Sequence, residues 1–285
     1  MRASRAAHLK TLRHRLNEKT IASSGHSPIN FYVALARALA RRGMTLDRLS
    51  PPGDALARRV LEDYGAMFVA AETIAVPPVC VFTSEAEVEK FQISAGIAAE
   101  QFADGVSVEL QPSAMRALLA ARRRARAEGL DITPRDGSEA GRRKFSDTLR
   151  LWDTRFLPAL EHWTKQGRIA PEKAEKLRRL APCGQVAAVL ELEAEGIYFS
   201  KDFSKSVLYS IAPPGTSQHL AMLAFDAAEF GDARVRRILS RHGWFQTVRS
   251  DLPHFTFLGL DEHDLPARGL RREEWNEQIF WIPNV

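Results

Sequence analysis

Two histidines and an aspartate, carried on short apolar stretches, hold the clearest chemical potential in this chain. His219 follows the Pro214-Gly215 turn and leads through Leu220-Ala221-Met222-Leu223-Ala224-Phe225 to Asp226. His254 opens the strand-like run His254-Phe255-Thr256-Phe257-Leu258, with Asp251 three residues ahead of it. An isolated buried carboxylate is expensive, so Asp226 at a strand end needs a partner, either a metal ion or an arginine. Two imidazoles and one carboxylate delivered by two strands form a three-ligand zinc set. The fourth position is left for water, as catalytic zinc requires.

The order of these residues resembles a known family, the zinc D-alanyl-D-alanine carboxypeptidases. These include the vancomycin-resistance D,D-peptidases and share their fold with the Hedgehog signalling domain. Pro214, Gly215, Ser217, His219, Ala224 and Asp226 fit the family pattern P-G-x-S-x-H-x-x-G-x-A-x-D, with Met222 in place of its glycine. The second family motif, E-x-W-H, is here Asp251-Leu252-Pro253-His254, with aspartate for the general-base glutamate and proline for tryptophan. Upstream, Arg241-His242-Gly243-Trp244-Phe245 looks like the family's helix end and the start of its glycine–aromatic strand.

The resemblance implies Zn2+ held by His219, Asp226 and His254, with Asp251 as general base. It also implies a substrate-facing arginine from the family's S-G-x-R-S segment. Arg135 occupies that register without the flanking serines and glycine, and Arg142 is the fallback. A turn arginine paired to Asp136 or Glu139 is the alternative for Arg135. Ser217 falls on the family's serine, where a hydroxyl can bond substrate or support His219. Tyr209 lies close enough in sequence to face the substrate. The implied reaction is hydrolysis of peptidoglycan stem peptides of the D-Ala-D-Ala type. The alternative is a zinc-binding domain that recognises such peptides with little or no cleavage.

The elements that must position these groups read as an α+β fold. A small antiparallel sheet carries the zinc site, helices flank it, and a basic helical extension over residues 1–60 precedes a 61–285 unit whose core is about 107–260. Phe31 to Arg42 has helical spacing and stops at Gly43, and Ser50-Pro51-Pro52-Gly53 breaks the chain as a linker. Leu61–Ala71 reads as helix, Ile74–Phe82 as an extended edge strand around two prolines, and Ser84-x-x-Glu87 as a capping box. A helix from Pro112 to Gly129 leads to a short strand at Leu130–Thr133. Residues 144–167 and 171–180 read as helices, and Pro182-Cys183-Gly184 as a turn. Leu220–Asp226 reads as a buried strand, Asp232–Arg241 as a helix, and 244–248 with 254–258 as paired strands. The aromatic tail with Trp275, Phe280 and Trp281 is expected to dock on the domain.

Composition sets the remaining bounds. A net charge of +5 over 285 residues is a mild basic excess. The Arg122-Arg123-Arg124-Ala125-Arg126 cluster lacks interleaved aromatics, so it reads as a solvated helix face and no nucleic acid is expected. No apolar run reaches the length of a membrane-spanning helix, and no hydrophobic stretch of a secretory signal follows the basic start. Cys80 reads as a small buried hydrophobe, and pairing with Cys183 stays open. A glycine-rich phosphate loop, an H-E-x-x-H helix and a G-x-S-x-G elbow are all absent.

Overall fold

In the computed structural model, residues 29–102 and 105–285 are described. Helix α1 (Phe31–Arg41) starts where the Asn30 side chain accepts from the Tyr32 N–H, and it buries Phe31, Ala34, Leu35, Ala38 and Leu39. That spacing, recurring at three and four residues, gives one inward face. Two further helices follow, α2 (Leu46–Leu49) and α3 (Ala55–Tyr64), capped by Thr45 and Asp54. Pro51-Pro52-Gly53 between them is a turn inside the domain, because Leu49 and Val60 on its two sides share one core with Phe225, Trp244 and Phe255. The segment expected as a 1–60 extension therefore joins the main core from Phe31 onward. Residues 1–28 lie outside the described residues.

Residues 65–69 form a 3-10 turn rather than the expected continuation of a helix. The Ile74–Phe82 stretch forms no strand; the Phe82 N–H donates instead to the Gly215 carbonyl at 2.9 Å. Gly215 has φ +78°, and a Cβ there would meet the Phe82 carbonyl oxygen at 2.0 Å, so this close approach requires glycine. Helix α4 (Glu85–Ala95) is capped by Ser84. The strands β1 (Ala98–Gln101) and β2 (Ser107–Leu110) then pair antiparallel. Helix α5 (Pro112–Ala127) carries Arg122, which is buried rather than solvated. Its guanidinium sits 4.4 Å from the Phe102 ring centroid and its Nε is 2.9 Å from Asp131 Oδ1. Leu130–Thr133 forms no strand, and Pro134 makes a single bridge to Ala227.

Three helices, α6 (Phe145–Lys165, with Pro158 inside it), α7 (Pro171–Arg178) and α8 (Pro182–Ala194), enclose a second core built on Trp152, Phe156, Leu160, Val189 and Phe199. Pro182, expected in a turn, is instead the first residue of α8, where its missing N–H would be unpaired in any case. Cys80 is buried, Cys183 is exposed, and both are free.

The sheet that carries the site has three antiparallel strands in the order β3 (Ala224–Asp226), β5 (His254–Phe257), β4 (Trp244–Phe245). Helix α9 (Ala233–Ser240), capped by Asp232, joins β3 to β4. The expected strand over 220–226 is half right. Gln218–Ala221 is a 3-10 turn, and only Ala224–Asp226 is extended. Between them Met222 sits at φ +55°, in the left-handed region, at the position of the pattern's glycine. The hairpin β6 (Leu270–Trp275) with β7 (Gln278–Pro283) docks the tail, as the Trp281 N–H donates to the Gln246 carbonyl at 2.9 Å. The whole is α+β: small antiparallel sheets between helical layers.

Candidate metal centre

Sheet register brings the first two donors together. Asp226 on β3 lies directly opposite His254 on β5, so both side chains leave the same face of the sheet. Phe225 and Phe255 pair on the other face, inside the main core. The 3-10 turn before β3 supplies His219, whose N–H is capped by Ser217 Oγ. All three side chains are buried, and their donor atoms lie within 4.8 Å of one another.

The distances between these atoms would fit a coordination shell. His219 Nε2 is 3.2 Å from His254 Nδ1 and 3.3 Å from Asp226 Oδ2, and His254 Nδ1 is 3.2 Å from Asp226 Oδ1. Ligands bonded tetrahedrally to zinc at about 2.0–2.1 Å stand roughly 3.3–3.4 Å apart.

The outward nitrogens settle which atoms are bare. His219 Nδ1 lies 2.6 Å from the Gly141 carbonyl, which can only accept, so this nitrogen carries the proton. His254 Nε2 lies 2.9 Å from Gln218 Oε1. The Gln218 amide is oriented by its own donation to the Tyr64 carbonyl at 2.8 Å, so its oxygen faces His254 and accepts from it. Thr256 Oγ1 donates to the same oxygen. Each imidazole therefore turns its other nitrogen inward, towards the other ring and towards a carboxylate. Three acceptors within hydrogen-bonding distance repel one another unless a cation or a proton sits among them.

Burial, and then the nearby Arg143, lower the His219 pKa to about 4, which keeps that ring neutral at pH 7. Burial pushes Asp226 upward, but the adjacent His219 and His254 hold its carboxyl well below the ordinary carboxylate range. Arg143 Nη2 donates to Asp226 Oδ2 at 2.8 Å and leaves Oδ1 for a cation. The donor set of two imidazoles and a carboxylate fits zinc, and each imidazole is held from behind by an oxygen acceptor, as metal-bound histidines usually are.

This centre forms one wall of a pocket of about 320 Å³. Thr148, Leu151 and Arg155 of α6 and the 209–212 segment also line it, so elements of both cores contribute to the pocket. Ser217, Tyr209 and Asp251 line it as well. Tyr209 is exposed, at the end of a 3-10 turn. Asp251 is exposed as a residue, yet burial of its carboxyl, together with the neighbouring Asp226, pushes its pKa upward. His254 and Arg143 pull the other way, and solvent at the rim limits the rise.

Arg135 is placed elsewhere. Its guanidinium lies over the Phe230 ring at 5.2 Å, outside the pocket lining, and only its backbone N–H reaches the site, donating to the Asp226 carbonyl. Arg142 is also turned away, bonded to Gln92 and Glu109. The guanidinium that lines the pocket beside Asp226 belongs to Arg143, one residue further on, held by the Glu139 carbonyl and Asp226. Gln218 and Gly141 were likewise not singled out in the sequence. A buried glutamine beside a candidate ligand is the one signal that could have drawn attention to the first.

No protein-family description matches the chain, and no curated protein matches it. Two solved structures are similar in outline. One is VanYB in complex with D-Alanine-D-Alanine, 17% identical, with 61% of this chain and 84% of that one covered at a TM-score of 0.35. The other is a mutant of the vancomycin resistance D,D-pentapeptidase VanY in complex with Zn(II), 16% identical, with 62% and 85% covered at a TM-score of 0.33.

Proposed function

We propose that the chain is a zinc-dependent peptidase whose metal is held by His219 Nε2, His254 Nδ1 and Asp226. The observation that carries this reading is the convergence of those three acceptors at 3.2–3.3 Å, with both outer imidazole nitrogens committed as donors. A zinc ion held there would supply Lewis-acid polarisation of a substrate carbonyl and of water.

The chain's own groups supply the rest. Asp251, at the pocket rim with a raised pKa, takes a proton from the attacking water and returns it to the leaving amine. Arg143 anchors Asp226 through Nη2 and presents the rest of its guanidinium to the pocket, where it can hold an oxygen that gains negative charge. This is the role that the resemblance implied for Arg135. The hydroxyls of Ser217 and Tyr209 line the same space and can bond the peptide backbone. The Pro214-to-Asp226 pattern, which resembles that of the D-alanyl-D-alanine carboxypeptidases, supplies the substrate class: a peptide ending in D-Ala-D-Ala.

Elemental analysis of purified protein and of His254→Ala, beside hydrolysis of an acetylated Lys-D-Ala-D-Ala peptide, tests the reading. One zinc per wild-type chain, none in the variant, and release of D-alanine by wild type alone are expected. Stoichiometric zinc without cleavage at any pH would leave a peptide-recognition domain. Absence of zinc would end both.

A further inference from the structure

A second cavity, of about 730 Å³, opens beside the first and shares Tyr209, Ser210 and Ser250 with it. Its volume lies within the range, roughly 300–1,000 Å³, that accommodates a drug-sized ligand. Two rings stand in water on its walls: Trp275, 55% exposed at the end of β6, and Tyr209, 53% exposed. Large aromatic faces left bare beside a cleft offer apolar area for a ligand to cover.

Charge on these walls is uneven. Lys201, Lys205 and Arg249 face the single carboxylate of Asp202. Asp202 is turned into its own loop, accepting from Ser200 Oγ and Ser204 Oγ at 2.7 Å each, and Arg249 is paired with Glu273. Neither lysine has an ion-pair partner among the described residues. At the junction of the two cavities Arg155 Nε donates to Ser210 Oγ at 2.7 Å, and no carboxylate there is within ion-pair reach of it. Three cations without an ion-pair partner thus run from the first pocket into the second, against the one carboxylate of Asp202 in the second.

We propose that the second cavity is the subsite for the remainder of an extended acidic peptide whose reacting bond lies at the His219–His254 centre. The proposal rests on the peptidase reading above and adds a requirement to it. At least one side-chain carboxylate beyond the reacting residues pairs with Lys201 or Lys205, and the peptide crosses the faces of Tyr209 and Trp275.

Binding rather than cleavage tests it. Two peptides of equal length, one bearing glutamates and the other glutamines, are titrated by calorimetry into the full chain and into a Lys201→Gln, Lys205→Gln, Trp275→Ala variant. All three positions are exposed and distant from the metal ligands in sequence, and circular dichroism verifies the variant's fold. Wild type should bind the acidic peptide about tenfold more tightly, with the preference shrinking as salt rises and vanishing in the variant. Equal binding of the two peptides by wild type, or a preference that the variant keeps, overturns the subsite. A preference found in a protein that binds no zinc and cuts neither peptide supports the subsite and overturns the peptidase reading instead.

Discussion

His254 Nε2 and Gln218 Oε1 lie 2.9 Å apart, and this contact decides which nitrogen of His254 is bare. The Gln218 amide is itself locked by the Tyr64 carbonyl, so the imidazole has one tautomer available. Contacts of this kind behind a metal ligand are worth on the order of 10–100-fold in metal affinity.

Gln218→Met is therefore expected to weaken zinc binding by about 10–100-fold in a chelator competition. Gln246→Met is the control. It removes a buried amide that bonds the Leu252 carbonyl and Gln278, away from Gln218 and from either imidazole. Loss of thermal stability in Gln218→Met with unchanged zinc affinity would show that the amide only fills space.

Asp251→Asn keeps the shape of the rim and removes the base. General acid–base groups contribute on the order of 100- to 10,000-fold, so kcat should fall by at least about 100-fold while zinc content and KM stay close to wild type. A variant as active as wild type would remove Asp251 from the mechanism.

Met222 sets two effects against each other. Its left-handed backbone costs a non-glycine residue roughly 1–2 kcal/mol, which glycine would relieve. Its side chain is fully buried, and truncating a buried methionine costs about 2–5 kcal/mol. The second outweighs the first, so Met222→Gly should destabilise the protein by about 1–3 kcal/mol in urea unfolding. A gain in stability would mean that the backbone conformation dominates at this position.

Glu72 joins α1 to the 262–268 turn, accepting from Arg41 Nε at 2.6 Å and from Arg268 Nη1 at 2.7 Å. The Arg268 hydrogen bond, above all, lowers its pKa from 4.5 to about 2. A carboxyl depressed in the folded state binds fewer protons there than when unfolded. Its stabilisation is complete above pH 4.5 and is lost as pH falls towards 2. The melting-temperature difference between wild type and Glu72→Gln should accordingly be present at pH 7, shrink below pH 4.5 and close only as pH approaches about 2. A difference that does not vary with pH would assign the effect to packing.

The centre was legible in the sequence where it depends on local order. A turn before His219, a strand end at Asp226 and a strand start at His254 are short-range features, and antiparallel pairing then places the last two opposite each other. Arg143 was not legible, because the 134–143 segment is irregular and its course is set by a distant contact. A Cβ on Gly141 would meet the Glu109 carbonyl at 2.7 Å, so this glycine lets the chain pack against β2, and Arg143 follows two residues later. The limits of the main core were misread for a similar reason. Pro51-Pro52-Gly53 has the composition of a linker, and nothing local shows that Leu49 and Val60 are buried in one core.

A proline in the middle of α6 has a consequence for the cleft. Pro158 has no N–H to give to the carbonyl four positions earlier, so the Thr154 oxygen is released from the helical ladder. Arg155 Nη1 lies 3.3 Å from that oxygen and 2.9 Å from the Thr154 hydroxyl. An interruption in the helix thus becomes a fixed mount for a cation of the first cavity that is bonded to Ser210, a residue both cavities share.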